Sequence, residues 1–371
     1  MSSKSMWTRK TVIFAASALL QVAFFISVLT TPVDAAPIYE SGNLSSEIAR
    51  LKTLVFPKES GLYVQPTAQN LSDFRDLATS VENGQIWQAS LQAEALGYEM
   101  VIFTDTRDNR TYSLLREQLD GFGNQTKGWG NYVYDRLEAV NLLIEAPHPL
   151  YDTNTPELSI EVYYGSNAKG YLMAGAHRNT MGDGVYGQAN VPGHTDSIFH
   201  IVHEEWSDAD TLPIQIHGFD WDLHTNFPAG TDVVLSNGDG AVPQPHIDLD
   251  AAFDDAALLS FAYNSLSTSD PVNIQVNTDW LNGGVISGST FGSLSAGYNV
   301  QGQYTRDTYG APWIHCEMEQ SIRFNDPSLW QPAIDVIVET FGEPIPEPAT
   351  IALIGMGMVG VAGIVRRKLR K

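Results

Sequence analysis

Three short, mainly apolar segments constrain the fold of this chain more than any other feature of its sequence. They cover residues 139–145, 171–176 and 212–217. Each segment is mainly apolar and too short for a typical helix, so each predicts a strand buried on both faces. Helical segments are predicted around these strands at 156–164, from Thr195 to 206, and at 327–341. Buried strands alternating with helices predict an α/β fold, a three-layer sandwich on a mixed, mainly parallel sheet.

Other elements are predicted from caps and turn residues. Asn43 is a favourable N-cap for a helix over 44–55, and 97–117 is typical of a β-hairpin with its turn at 105–109. The remaining predictions are a Gly-rich loop at 121–129, strands at 232–236, 271–276 and 313–318, a helix at 250–263 and a surface loop at 277–303.

Both ends of the chain carry an apolar segment beside basic residues. At the N-terminus, Lys4, Arg9 and Lys10 precede the apolar run 12–29, and small residues follow at 33–35. This pattern predicts a secretory signal peptide over 1–35, with an uncleaved anchor as the alternative. The folded domain is therefore expected to span 36–343.

The C-terminal segment is a short potential membrane helix. The apolar residues 350–365 are followed by a basic end, residues 366–371. A helix of this length spans about 24 Å, less than the ~30 Å of a bilayer core. The basic end favours the cytoplasmic side, so the segment is expected to tether the chain to the membrane temporarily.

The residues before this helix are Pro346-Glu347-Pro348. Together with the apolar run and the basic end, this tail (344–371) resembles the PEP-CTERM sorting signal of Gram-negative bacteria. The resemblance implies an exosortase as partner, removal of the tail, and transient inner-membrane association through 350–365. It also implies a final location on the outer surface or outside the cell. An ordinary C-terminal anchor is the alternative.

The charge of the chain excludes some partners. With 43 acidic and 21 basic side chains the formal net charge is −22, and both terminal segments are themselves basic. The part between them is therefore more acidic still, and it would repel nucleic acids and anionic lipids. The single cysteine, Cys316, excludes an internal disulfide, so an exported form must rely on its core or on a metal.

Polar residues follow the predicted buried strands at their carboxyl ends, where α/β proteins bind ligands. His148 and Asp152 follow the first strand, and His217 ends the third. Two imidazoles and a carboxylate, with a position left for water, are typical of a catalytic zinc site. Zn²⁺ is thus the predicted cofactor, held by His148, Asp152 and His217. Glu317 is the candidate general base, because a carboxylate beside the metal can transfer the proton.

Two arginines are candidates for substrate binding. Arg178 follows the second strand and could hold a substrate carboxylate or an oxyanion through its guanidinium group, and Arg323 is a second candidate.

Several alternatives remain open. Glu145 competes with Asp152 as the carboxylate ligand, and Glu319 shares the strand face of Glu317. His148 and His217 could instead have structural roles, and Cys316 is predicted to be a core residue. Three further histidines, predicted to lie on a helix surface or behind the metal ligands, are His194, His200 and His203.

Three blocks of the body resemble a known group of enzymes. They are His148 to Thr155, the pair His217-Gly218, and Glu317 to Arg323, within 139–341. They are similar to motifs of phage-type poly-γ-glutamate hydrolases and of N-formylglutamate amidohydrolases, which share a zinc-carboxypeptidase-like fold. The resemblance implies the ligands and base named above, and a metal-dependent amide hydrolase acting on a peptide or acidic polyamide of the envelope. The alternative function is a non-enzymatic exopolysaccharide-associated or surface-binding protein.

Overall fold

The computed structural model describes residues 36–137, 140–224, 233–236, 238, 294, 296–320 and 323, and positions 331, 334, 335, 337, 338 and 341. Every element below belongs to a unit that runs from Pro37 to the C-terminus.

The described strands form one sheet in the order β1-β2-β3-β4-β6-β5-β7-β9-β8. Their bounds are β1 Ile38–Gly42, β2 Tyr98–Asp105, β3 Thr111–Glu117, β4 Asn131–Tyr134, β5 Val140–Ala146, β6 Ala168–Met173, β7 Leu212–Phe219, β8 Val233–Ser236 and β9 Ile314–Glu319. Strands β6, β5, β7 and β9 are neighbours and run parallel. Their carboxyl ends therefore meet at one edge of the sheet.

Helices cover both faces of the sheet. Their bounds are α1 Leu44–Lys52, α2 Ala68–Glu82, α3 Ile86–Ala95, α4 Thr155–Ser166, α5 Ile198–Trp206 and α6 Val300–Tyr304. One apolar core joins α1 and α4 to the face that carries Ile214 and Ile216. A second core joins α2, α3 and α5 to the opposite face, on which Leu143 and Leu172 lie. The arrangement is a three-layer α/β fold, as predicted.

Local sequence explains where the helices begin. The Asn43 side chain accepts a hydrogen bond from the backbone N–H of Ser46 at 2.9 Å, which confirms the predicted cap of α1. Helix α5 begins later than predicted, because Ser197 rather than Thr195 caps it through the N–H of His200 at 3.1 Å. The predicted last helix is confirmed at its described positions, which are helical, with Ile334 and Ile337 buried in the first core.

The sheet is mixed, but the expectation that it is mainly parallel is wrong for the described strands. Four of their pairings are parallel and four are antiparallel. The predicted hairpin is present as β2 and β3, and it continues into the antiparallel strand β4. Two of the four antiparallel pairings lie within this meander and a third joins it to β6, whereas three of the four parallel pairings join β5, β6, β7 and β9.

Strand β6 begins three residues before the predicted 171–176 and ends at Met173. The start was missed because Lys169 is buried within the strand, where its ammonium group donates a hydrogen bond to Thr211 Oγ1 at 2.8 Å. The predicted loop 277–303 contains α6 at its described end.

Several predictions lie outside the described residues. They are the signal peptide 1–35, the helix 250–263, the strand 271–276 and the tail 344–371. Within the described part of the chain, no helix has both the length and the apolar character that crossing a membrane requires.

Candidate metal centre

The loop after β5 brings His148 and Asp152 together. The backbone N–H of Asp152 donates to the carbonyl of His148 at 3.0 Å, and Thr155 N–H donates to the carbonyl of Asp152 at 3.1 Å. This chain of turns leads directly into α4. It places His148 Nδ1 at 3.1 Å from Asp152 Oδ2.

The neighbouring strand β7 adds His217 to the same point. Strand alternation sends Ile216 into the first core and His217 to the other face. His217 Nδ1 lies 3.0 Å from the same Oδ2 atom of Asp152. The two imidazole rings have centroids 4.8 Å apart, and the three residues are at most 4% exposed. The predicted ligand set therefore converges, although its segments are distant in sequence.

The outer nitrogens of both imidazoles face side-chain amide oxygens. His148 Nε2 lies 2.8 Å from Asn190 Oδ1, and His217 Nε2 lies 2.8 Å from Gln215 Oε1. An amide oxygen only accepts hydrogen bonds, so each Nε2 must carry its proton. In the neutral rings, both Nδ1 lone pairs then point at the carboxylate of Asp152. The two Nδ1 atoms and Asp152 Oδ2 are then all acceptors, and they cannot lie this close together in a buried site unless protons or a cation lie between them.

Electrostatics keep Asp152 in its charged form. Burial alone would raise the pKa of this carboxyl group, but the adjacent His148 and His217 outweigh burial and hold the pKa well below its usual value. Asp152 is thus available as an anionic ligand.

The donor set fits zinc. Zinc bonds of 2.0–2.1 Å in a tetrahedral arrangement place neighbouring ligand atoms about 3.3 Å apart. The observed separations from Asp152 Oδ2 to the two Nδ1 atoms are 3.0 and 3.1 Å. Metal-bound histidines also commonly donate their other N–H to an oxygen acceptor, as both Nε2 atoms do here.

Strand β9 places Glu317 beside His217, and it adds His315, which was not among the predicted ligands. Glu317 is the register partner of His217, and His315 is the partner of Gln215. The ring of His315 lies 4.5 Å from that of His217, and its Nε2 atom is 3.4 Å from Glu317 Oε1. His315 could have been predicted from its spacing of two residues from Glu317, because this spacing puts both side chains on one face of a strand.

Two atoms of this pair are buried without a hydrogen bond. Within the described part of the chain, His315 Nδ1 and Glu317 Oε2 have no hydrogen-bonding partner. Burial raises the pKa of Glu317 to about 7, against the effect of His217 and with the support of the Asp152 charge. Burial and the neighbouring His217 lower the pKa of His315, so its ring is neutral. Glu317 is thus suited to accept or release a proton near neutral pH.

Arg178 lies beside Tyr151, whose ring centroid is 6.2 Å from that of His148. Its guanidinium carbon is 4.8 Å from the ring centroid of Tyr151, a side chain that is 50% exposed. Its Nε atom is buried and has no hydrogen-bond partner among the described residues. The charge of Arg178 also lowers the pKa of Glu317, which shows that the two groups are close enough to interact.

Arg323 is engaged with the backbone. Its three nitrogens donate to the carbonyls of Met318, Thr153 and Phe219 at 2.9, 2.7 and 3.1 Å. These contacts join the ends of β9 and β7 to the loop that carries Asp152. Gly218 allows the approach, because a Cβ atom at that position would overlap the guanidinium group. The geometry favours a structural role for Arg323 over the predicted contact with substrate.

The alternatives raised by the sequence are also placed. Glu145 hydrogen-bonds to His203 and Gln215, and it belongs to neither of the potential metal-binding groups among the described residues. Cys316 is buried in the first core, as predicted. His200 and His203 are 2% and 0% exposed, so they do not lie on a helix surface.

The C-terminal tail matches the model of a known protein family. A family model described as the PEP-CTERM protein-sorting motif matches residues 344–370. The match confirms the prediction from the tail: the motif marks an exported protein that an exosortase sorts at the membrane before release to the envelope. No curated protein matches the chain. The similarity of the body to zinc amidohydrolases therefore stays a prediction.

Proposed function

We propose that this exported protein is a zinc-dependent amide hydrolase acting on a peptide or acidic polyamide of the envelope. The observation that carries the proposal is the convergence of two imidazole Nδ1 atoms on one carboxylate oxygen of Asp152, at 3.0 and 3.1 Å. His148, Asp152 and His217 would hold the zinc and leave a position for water. Bound zinc supplies a Lewis acid that polarises a carbonyl group and makes water acidic near neutral pH.

The protein's own residues would handle the proton and the substrate. Glu317 lies beside His217 and carries a buried oxygen without a partner among the described residues. It would accept the proton of the attacking water and return it to the leaving amine. Arg178 would hold a carboxylate of the substrate through its guanidinium group, whose Nε atom lacks a described partner.

The tail would act before the enzyme reaches its destination. The PEP-CTERM motif at 344–370 includes the basic residues Arg366, Arg367, Lys368 and Arg370. The apolar stretch 350–365 would hold the protein at the inner membrane until the exosortase removes the tail. The released domain would then act on the outer surface or outside the cell.

One observation favours a second candidate, a non-enzymatic surface protein. His217, His315 and Glu317 also form a group whose ligand atoms lie within 4.8 Å of one another. If Glu317 were a fourth zinc ligand, the site would be closed, as structural zinc sites are. The protein would then be stabilised by zinc without catalysing a reaction.

Elemental analysis of the purified full-length protein tests both candidates. We expect about one zinc per chain in the wild type and none in His148→Ala or His217→Ala. His194→Ala is the matched control, because this histidine lies outside both groups and should leave zinc content unchanged. Absence of zinc from the wild type after incubation with Zn²⁺ would refute the metal site.

Glu317→Gln separates the two functions. If Glu317 is a base on the open side of the metal, Glu317→Gln should keep its full zinc content and lose amide hydrolysis. Hydrolysis is measured as amine release from γ-glutamyl and α-peptide substrates. Loss of zinc in Glu317→Gln would instead identify Glu317 as a ligand and favour the surface protein.

A further inference from the structure

A row of buried polar residues continues from His217 across the sheet towards α5. We infer that Gln215 and Glu145 are positioning residues that fix the tautomer of His217 and so present its Nδ1 atom to the metal. The inference rests on the proposed zinc site. It concerns residues that contact neither the metal nor a substrate.

The row is continuous. His203 Nδ1 on α5 lies 2.6 Å from Glu145 Oε1, and the other oxygen of Glu145 accepts from Gln215 Nε2 at 2.9 Å. Gln215 Oε1 then lies 2.8 Å from His217 Nε2. Glu145, Gln215 and His203 have no exposed surface, so solvent cannot replace any of these bonds.

The Glu145 carboxylate determines which way the Gln215 amide points. A carboxylate only accepts hydrogen bonds, so the NH₂ group of Gln215 must face Glu145. The amide oxygen must then face His217. Since that oxygen only accepts, His217 must carry its proton on Nε2.

A second constraint gives the same orientation independently. Asn299 caps α6, and its Oδ1 atom accepts from the backbone N–H groups of Gln301 and Gly302 at 3.0 and 3.1 Å. Its NH₂ group therefore points away from the helix, and it donates to Gln215 Oε1. The contacts of Gln215 with Glu145 and with Asn299 thus each identify its Oε1 atom as an acceptor.

The row itself is not a second catalytic site. Glu145, His203 and Thr305 have the order of a nucleophile triad, with His203 Nε2 at 3.0 Å from Thr305 Oγ1. However, Thr305 is 0% exposed, and its hydroxyl donates to the carbonyl of Gln301 at 3.1 Å. A buried hydroxyl cannot meet a substrate, which leaves support of His217 as the role of the row.

The tautomer of His217 can be measured directly in the wild type. Long-range ¹H–¹⁵N correlation spectra of the metal-free, full-length protein distinguish Nε2–H from Nδ1–H rings, and His217→Asn assigns the signal. We expect the Nε2–H form at a pH where the ring is neutral. A neutral Nδ1–H ring would overturn the inference.

Zinc affinity provides the second test. Gln215→Leu removes the acceptor for Nε2–H, and loss of such a partner commonly weakens metal binding about 10- to 100-fold. Gln301→Leu is the matched control, because this glutamine is equally buried on the same side of the sheet but contacts His200 instead of a ligand. Competition with a chelator measures the Zn²⁺ affinity of each protein.

The outcomes separate this inference from the proposed function. Weaker zinc binding in Gln215→Leu with normal binding in Gln301→Leu supports the inference, whereas wild-type affinity in folded Gln215→Leu overturns it. If the wild type binds no zinc, the proposed function fails, and the tautomer measurement still decides whether Gln215 and Glu145 orient His217.

Discussion

Replacing Glu317 with glutamine should change how the stability of the metal-free protein depends on pH. Glu317 is buried, and burial raises its pKa from 4.5 to about 7. In the unfolded chain the carboxyl group loses its proton near pH 4.5, whereas in the folded protein it keeps the proton until about pH 7. Folding above pH 4.5 therefore requires proton uptake, and the wild type should lose stability as the pH rises from 4.5 to 7.

The size of the effect follows from the shift in pKa. Each pKa unit corresponds to about 1.4 kcal/mol, so the shift costs the folded state about 3 kcal/mol once the pH exceeds 7. Glutamine has nearly the same shape and does not titrate. The free energy of unfolding of Glu317→Gln, relative to the wild type, should increase by about 3 kcal/mol between pH 4.5 and pH 8.

Urea denaturation in the presence of a chelator measures this difference, because zinc would change the electrostatics of the site. Glu94→Gln is the control for loss of one negative charge, since Glu94 is exposed on α3. For Glu94→Gln, the free energy of unfolding relative to the wild type should change by at most a few tenths of a kcal/mol between pH 4.5 and pH 8. If Glu317→Gln differs from the wild type by the same amount at both pH values, the carboxyl group is not held in a protonated, buried state and the reasoning fails.

Three further predictions concern the metal, the strand ends and the core. Zinc at about 100 times its Kd should stabilise the wild type by about 2.7 kcal/mol, which raises Tm by ~4 °C for a domain of ~300 residues. Calorimetry should show no such rise in Tm for His148→Ala. An equal rise in this variant would contradict the proposed metal site. Gly218→Ala should lower the free energy of unfolding in urea by about 1–3 kcal/mol, because the added Cβ atom overlaps Arg323. Gly121→Ala should lower it much less, because no atom lies within 4 Å of a Cβ atom added there. Equal losses of stability in the two variants would refute the overlap. Burial raises the pKa of the Cys316 thiol, so Ellman's reagent should label this cysteine only after the protein unfolds. Rapid labelling of the native protein would contradict the burial of Cys316.

The sequence predicts the centre of the fold better than its edges. Strands β5 and β7 are buried along most of their length, and the apolar residues at their buried positions make both strands visible in the sequence. Helices α2 and α3 were missed, because several of their buried positions are small or polar, such as Ala89 and Ser90, and give weak periodicity. The capping box of α2, formed by Thr67 and Asn70, was the signal that could have located this helix.

The site follows the same division. His148, Asp152 and His217 could be predicted to meet, because parallel strands bring their carboxyl ends to one edge. Asn190 and Gln215, which orient the imidazoles, could not be found in this way. Uncharged amides occur throughout the chain, and their role depends on which atom faces which neighbour, a property of the folded structure alone.

The position of Arg323 in the chain has a consequence for damaged or incomplete copies of the protein. Every proposed zinc ligand, and Glu317, is synthesised before Arg323. A copy cut just ahead of this arginine would keep all the donor atoms but lose the clasp that links Thr153, Phe219 and Met318. Possession of these residues would then not be enough to hold them together, and their side chains would converge only in chains copied to nearly their full length.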